Sequence, residues 1–253
     1  YSAFSKTTYL INDLKKLYSL HMLGKYTQLF TSHECLLLPY EAATTRHYNN
    51  ISYNSSAHML WIGVRTKSID SAHVEYLRGV YNPIGIKIGP NTNLEELSQI
   101  IKRLNPHKQE GKIILIHRFG SKNIQHHLAN LLSYIKKQDL NVTWMLDPMH
   151  GNTYVDKIGS KIRTTRSIND EISQAIEIHN FYNNSLQGLH LEISYKQVSE
   201  CIEEEDKSIL SKDPGCLKYE SLCDPRLNYS QTKTIINNLL NKLVKEKNYC
   251  NRA

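Results

Sequence analysis

A chain of 253 residues is long enough for one large α/β domain, and its composition gives no reason to divide it. Its 31 lysines and arginines against 24 acidic residues leave a net charge of +7, so the surface should attract anions. The basic residues are spread along the chain and do not form the stripe or tail of a nucleic-acid binder, and no apolar run approaches the length of a membrane span.

The first pattern is helical: Tyr9 to Leu23 places Leu10, Leu14, Leu17, Tyr18 and Met22 on one stripe. Six short apolar runs follow: Cys35-Leu36-Leu37-Leu38, Met59 to Val64, Ile84 to Ile88, Ile113 to Ile116, Val142 to Leu146 and Leu189 to Ile193. They lack a clean polar alternation, as strands covered on both faces do. Helical patterns such as Leu94 to Leu104 and Ile124 to Ile135 lie between them, which implies a parallel sheet with right-handed crossovers. A last amphipathic stripe runs through Ile235, Ile236, Leu239, Leu240, Leu243 and Val244. Six strands are too few for a closed eight-stranded barrel and enough for an open doubly wound sheet, and periodicity does not choose between the two. A nucleotide-binding version would need a glycine-rich turn, and no GxGxxG or GxxxxGK[ST] occurs. The five cysteines, Cys35, Cys201, Cys216, Cys223 and Cys250, show no CxxC pair or framework spacing and point to a reduced, intracellular setting.

Parallel α/β folds place their sites at the carboxyl ends of the strands. The residues there are Arg65 and Thr66, Lys87, Arg118, Asp147 and His150, and Glu192, with Asp224 later in Cys-Asp-Pro-Arg-Leu-Asn. Arg65, Lys87 and Arg118 at successive strand ends would form a cationic cluster for the phosphate or carboxylate of a small substrate. Each alone would more often pair with a carboxylate or reach solvent, but three in succession at equivalent strand ends favour the cluster. His150, Glu192 and Asp224 offer an imidazole and two carboxylates, a set suited to Mn²⁺, Fe²⁺, Co²⁺ or Zn²⁺. They could meet only if the strands curl together, and a lone His after a strand is more often a hydrogen-bonded structural residue.

These residues and their surroundings resemble the type II 3-deoxy-D-arabino-heptulosonate 7-phosphate (DAHP) synthases. The matching segments include Ser32-His33-Glu34, Leu38-Pro39-Tyr40-Glu41, Ser56 to Gly63 with Arg65-Thr66, Ala72 to Gly79, Asn82 to Gly85, Lys87 to Pro90, Asp147 to Thr153 and Cys223 to Asn228. The resemblance implies a (β/α)8 TIM-type barrel, here lacking its first two strands, within one N-terminally incomplete catalytic domain over residues 1–253. It assigns phosphoenolpyruvate contacts to Arg65, Lys87 and Arg118, divalent-metal coordination to His150, Glu192 and Asp224, and active-site roles to Lys87, Lys161 and Glu34. The implied reaction joins phosphoenolpyruvate to erythrose 4-phosphate, the first step of the shikimate pathway. The implied partners are those two substrates, further copies of the chain in a homo-oligomer, and a separate N-terminal half, with no nucleic acid and no membrane.

The chain departs from the family pattern at Val64, where a Glu is usual, at Lys161-Ile162-Arg163, where Lys-Thr-Arg is usual, and at Ile193 to Gln197. It also contains neither the strand with the family's Cys metal ligand nor the Lys-Pro-Arg-Ser type loop for erythrose 4-phosphate, and Cys35 does not match the ligand position. A catalytically impaired homologue that binds a phosphorylated ligand or a partner subunit is therefore the alternative to an active synthase. A basic nucleic-acid-binding domain is a third reading. A cytoplasmic location is expected, or a plastid if a transit segment has been lost.

Overall fold

The computed structural model describes residues 30–156, 159–203 and 218–250. The helical stripe expected at Tyr9 to Leu23 lies outside them, as does Cys216. The central element is a parallel sheet of six strands: β1 (Ser32–Glu34), β4 (Met59–Ile62), β5 (Ile84–Ile88), β6 (Ile113–His117), β7 (Thr143–Leu146) and β10 (Gly188–Leu189), adjacent in that order. Between β1 and β4 come helix α1 (Leu38–Thr44) and an antiparallel hairpin of β2 (Thr45–Tyr48) and β3 (Ile51–Asn54). Helices α2 (Ala72–Arg78), α3 (Leu94–Leu104) and α4 (Ile124–Lys137) are the crossovers between the next strands. A small three-stranded sheet follows β7, made of β8 (Tyr154–Val155), β9 (Lys161–Thr164) and β11 (Cys201–Ile202) with β9 in the middle. Helix α5 (Thr165–Phe181) leads to β10, and α6 (Tyr229–Cys250) comes last. None of the helices among the described residues is long and apolar enough to cross a membrane.

Local chemistry accounts for these boundaries. Asn93 caps α3 by accepting from the Glu96 amide at 3.1 Å, and Thr164 caps α5 by accepting from Ser167 at 3.2 Å, each satisfying an otherwise unpaired first-turn donor. The strands alternate between two buried faces. Leu60, Ile62, Ile84, Ile86, Ile113, Leu115, Trp144 and Leu146 pack outward with Leu97, Ile100 and Ile101 of α3, Leu128 and Leu131 of α4, and Ile172 and Ala175 of α5. Each fully buried aliphatic side chain there contributes roughly 1.5–3 kcal/mol relative to exposure.

The opposite face is concave. Strands β4 and β10 are four places apart in the sheet, a separation of roughly 19 Å if the sheet were flat. Yet the rings of Trp61, on β4, and His190, just after β10, meet edge to face with centroids 5.2 Å apart. The sheet is curled into half a barrel, so the carboxyl ends of distant strands converge. After β10 the chain adds one more parallel contact, the bridge of Ile193 with Leu227, which brings the Asp224 segment alongside the Glu192 segment.

One expected strand is displaced. The run Cys35 to Leu38 is not extended: β1 ends at Glu34, Leu36 and Leu37 are exposed, and α1 starts at Leu38. Pro39 explains the change, because its fixed φ and missing N–H suit the first turn of a helix.

Candidate active site and metal centre

Asp147, immediately after β7, organises the concave face. It is fully buried, and each carboxylate oxygen has partners. Oδ1 accepts from the amides of Met149 at 3.0 Å and His150 at 3.1 Å, shaping the turn that carries the imidazole. Oδ2 accepts from His150 Nδ1 at 2.7 Å and pairs with the Lys87 ammonium. Burial by itself would raise the Asp147 carboxyl, but the His150 hydrogen bond and the Lys87 charge outweigh it and hold the group well below the usual carboxylate range. Burial lowers Lys87, against the opposing pull of Asp147. Lys87 lies on β5, where its neighbours Ile86 and Ile88 face the helices, so the period of the strand aims its ammonium into the concavity.

An ionised Asp147 can only accept, so His150 Nδ1 donates to it and Nε2 is the ring nitrogen left to meet a cation. That atom faces Glu192 Oε1 at 3.5 Å and Asp224 Oδ2 at 3.8 Å. One donor atom from each of the three residues lies within 4.8 Å of the others, and all three are half-buried. An imidazole nitrogen and two carboxylate oxygens, converging from three separate loops, fit a divalent cation of borderline hardness. The atoms that do not converge are otherwise engaged: Glu192 Oε2 pairs with Arg163, and Asp224 Oδ1 accepts from Lys161 at 2.8 Å. Lys161, exposed at the start of β9, is raised by that bond. Burial would raise Asp224, but Lys161 brings it down.

The remaining expected site residues stand at the carboxyl ends of their strands. Glu34 ends β1, and its Oε1 fills the space a side chain at Gly63 would need. Arg118 follows β6, half-buried, with its guanidinium carbon 4.0 Å from the Cβ position of Gly89 and close enough to Lys87 to lower its pKa. Arg65 follows β4 with an exposed side chain.

The loops that carry Arg118 and His150 are held against each other by backbone contact. A Cβ at Gly120 would come within 2.5 Å of Gly151 O, and Gly120 has φ +81°, so both reasons require glycine there. Glu171 of α5, fully buried, accepts from the amides of Phe119 at 3.1 Å and Gly120 at 2.9 Å and from Asn152 Nδ2 at 2.7 Å, which ties the two loops from below.

Three residues of the site escape a strand-end reading. His190 stands two positions before Glu192, on the same face of an extended segment, and burial lowers it to about 4. Lys67, two residues beyond Arg65, donates to Thr92 at 2.7 Å and is lowered to about 8, first by burial and further by Arg118, with Glu96 opposing. Arg163 is fully buried in mid-strand. The spacing of two from a named site residue marks all three: His190 before Glu192, Lys67 after Arg65 and Arg163 after Lys161.

The Class-II DAHP synthetase family profile matches residues 13–238. The chain belongs to that family. Curated proteins named phospho-2-dehydro-3-deoxyheptonate aldolase are similar to it: one from Streptomyces coelicolor is 40% identical over 207 residues, covering 81% of this chain and 46% of the relative. One from Neurospora crassa is 41% identical over 222 residues, again 81% and 46%. A probable chloroplastic member from Catharanthus roseus is 38% identical over 233 residues, covering 91% of this chain and 45% of that protein. The chain thus spans about half the length of the curated relatives it matches. Among solved structures, a truncated 3-deoxy-D-arabino-heptulosonate 7-phosphate synthase from Thermotoga maritima superposes with TM-score 0.50 at 16% identity, over 86% of this chain and 66% of that one, a likeness of fold alone.

Proposed function

We propose that this member of the class-II DAHP synthetase family carries the metal- and phosphoenolpyruvate-binding part of an active synthase. The observation that supports this best is the convergence of His150, Glu192 and Asp224 on one face of the curled sheet, with Lys87 joined to the same centre through Asp147. In this reading those three residues hold Mn²⁺, Co²⁺, Fe²⁺ or Zn²⁺. The cation, when bound, supplies Lewis-acid polarisation of a carbonyl oxygen.

The residues of the chain supply the rest. Lys87, Arg118 and Arg65 hold the phosphate and carboxylate of phosphoenolpyruvate, with charge-assisted hydrogen bonds placed before charge shifts in the reaction. Glu34 and Lys161 act as supporting groups at the rim of the same face. Carbon 3 of phosphoenolpyruvate forms a bond to the aldehyde carbon of erythrose 4-phosphate, water adds at carbon 2, and inorganic phosphate leaves. Residues 1–253 form one domain, part of an eight-stranded barrel whose two further strands lie outside this sequence. The curl of the six-stranded sheet and the open edge of β1 among the described residues support that completion.

The reading of an impaired homologue rests on Val64 and has less support, since the donor trio, Lys87 and Asp147 are all in place. The test is phosphate release from the two substrates with added Mn²⁺, using this chain alone and then together with the part that completes the barrel. Activity in the second case is expected; none in either case overturns the catalytic reading.

A further inference from the structure

Arg163 reaches all three segments that carry the donor trio. It is fully buried on β9, the middle strand of the small sheet. Its Nη1 donates to Glu192 Oε2 and to the carbonyl of Pro225, the residue after Asp224, and its Nε donates to Thr153 Oγ1 at 2.7 Å. Thr153 closes the turn that begins at His150, where its hydroxyl also donates to Met149 O at 3.2 Å. A guanidinium presents its donors in a rigid planar fork, so these bonds fix direction as well as distance.

The pairing divides Glu192. Oε2 is held by the guanidinium, and Oε1 faces His150 Nε2. We propose that Arg163 is a positioning residue that limits Glu192 to coordination through Oε1 alone and sets the three ligand segments in register. Left free, a carboxylate can swing to bind an ion through both oxygens, which fills a position that a substrate oxygen would otherwise take. The guanidinium also draws charge from Glu192, so the ion is less fully neutralised by its ligands. This inference rests on the metal-site reading above and adds to it a residue that touches neither ion nor substrate.

The experiment titrates Co²⁺ into the complete protein and follows its visible absorption, whose intensity falls as coordination number rises, beside a separate titration of phosphoenolpyruvate into the metal-free protein. Glu192→Ala is the reference and should abolish the wild-type band. Arg163→Gln is expected to weaken Co²⁺ binding about 10–100-fold, the usual cost of losing a group that orients a metal ligand. It should also dim the band as Glu192 becomes bidentate, and leave phosphoenolpyruvate affinity unchanged. Thr153→Val, which removes one arm of the fork and no buried charge, should weaken Co²⁺ binding several-fold and decides the matter if the Arg163 variant does not fold. Wild-type affinity and band in the variants that fold overturn the role of Arg163 while leaving the metal site standing. A wild-type protein with no band, or a band untouched by Glu192→Ala, overturns the metal-site reading and this inference with it.

Discussion

Asp147→Asn tests how much of the site depends on one buried charge. The side chain has no exposure, it pairs with Lys87, which is 7% exposed, and it fixes the His150 tautomer. An asparagine keeps an oxygen for the Met149 and His150 amides but sets a neutral amide against the ammonium. Removing one partner of a buried ion pair costs about 3–5 kcal/mol, a large part of the roughly 5–15 kcal/mol that holds a domain together. Urea unfolding followed by the fluorescence of Trp61 and Trp144 measures the loss. Asp147→Asn combined with Lys87→Met removes both charges and should recover more than half of it, whereas Lys87→Met alone leaves a buried carboxylate and should be costly. A loss below about 1 kcal/mol, or a double variant as unstable as the sum of the single ones, would refute the view that this pair anchors the site.

Further outcomes follow from other contacts. Burial raises Glu171 to about 7, against the hydrogen bonds from Gly120, Phe119 and Asn152. Between its unfolded value near 4.5 and about 7 the unfolded chain has lost a proton that the native state keeps, so Glu171 makes stability fall as pH rises through that window and level off above it. Glu171→Gln should flatten that part of the pH–stability curve, as thermal unfolding at pH 5 and pH 8 will show. Gly120→Ala should destabilise by about 2 kcal/mol or more, since it adds left-handed strain to a clash with the Gly151 carbonyl; an unchanged melting temperature would mean the two loops can separate. Arg118→Gln should raise the dissociation constant for phosphoenolpyruvate by about tenfold or more, in keeping with the loss of a charged hydrogen bond, while the Co²⁺ titration stays as in the wild type.

Much of this architecture is visible in the sequence because it follows from pattern. Ile84 to Ile88 and Ile113 to Ile116 read as strands buried on both faces, and the helix over Leu94–Leu104 is found at those bounds, capped by Asn93. The displaced first strand shows the weakness of apolar runs as a signal: of Cys35-Leu36-Leu37-Leu38 only Cys35 is buried, and the proline that follows decides for helix. The β2–β3 hairpin is absent from the sequence reading: its strands are too polar to stand out, and only the structure shows Asn49 and Asn50 at the positive φ values of a tight turn. Within the site, His150, Glu192 and Asp224 are recognisable as possible ligands by residue type. The way each is held is not, because it depends on Asp147, Arg163 and Lys161, which meet them only in three dimensions. The spacing of Arg163 from Lys161 is visible in the chain, but its burial and its bonds to Glu192 and Pro225 are not, since a buried arginine differs from a surface one only by its neighbours.

The wide spacing of the three donors along the chain also bears on folding. Residues 150, 192 and 224 are brought within a few ångströms of one another, so an ion bound there would act as a crosslink closing loops of roughly 40 and 30 residues at once. In the native chain the curl of the sheet meets the entropy of those closures, so the donors are gathered in the folded state and an ion would bind that state in preference to the unfolded one. Such an ion would slow unfolding far more than it would speed folding, and stripping it would shorten the lifetime of the native chain before it changed its shape.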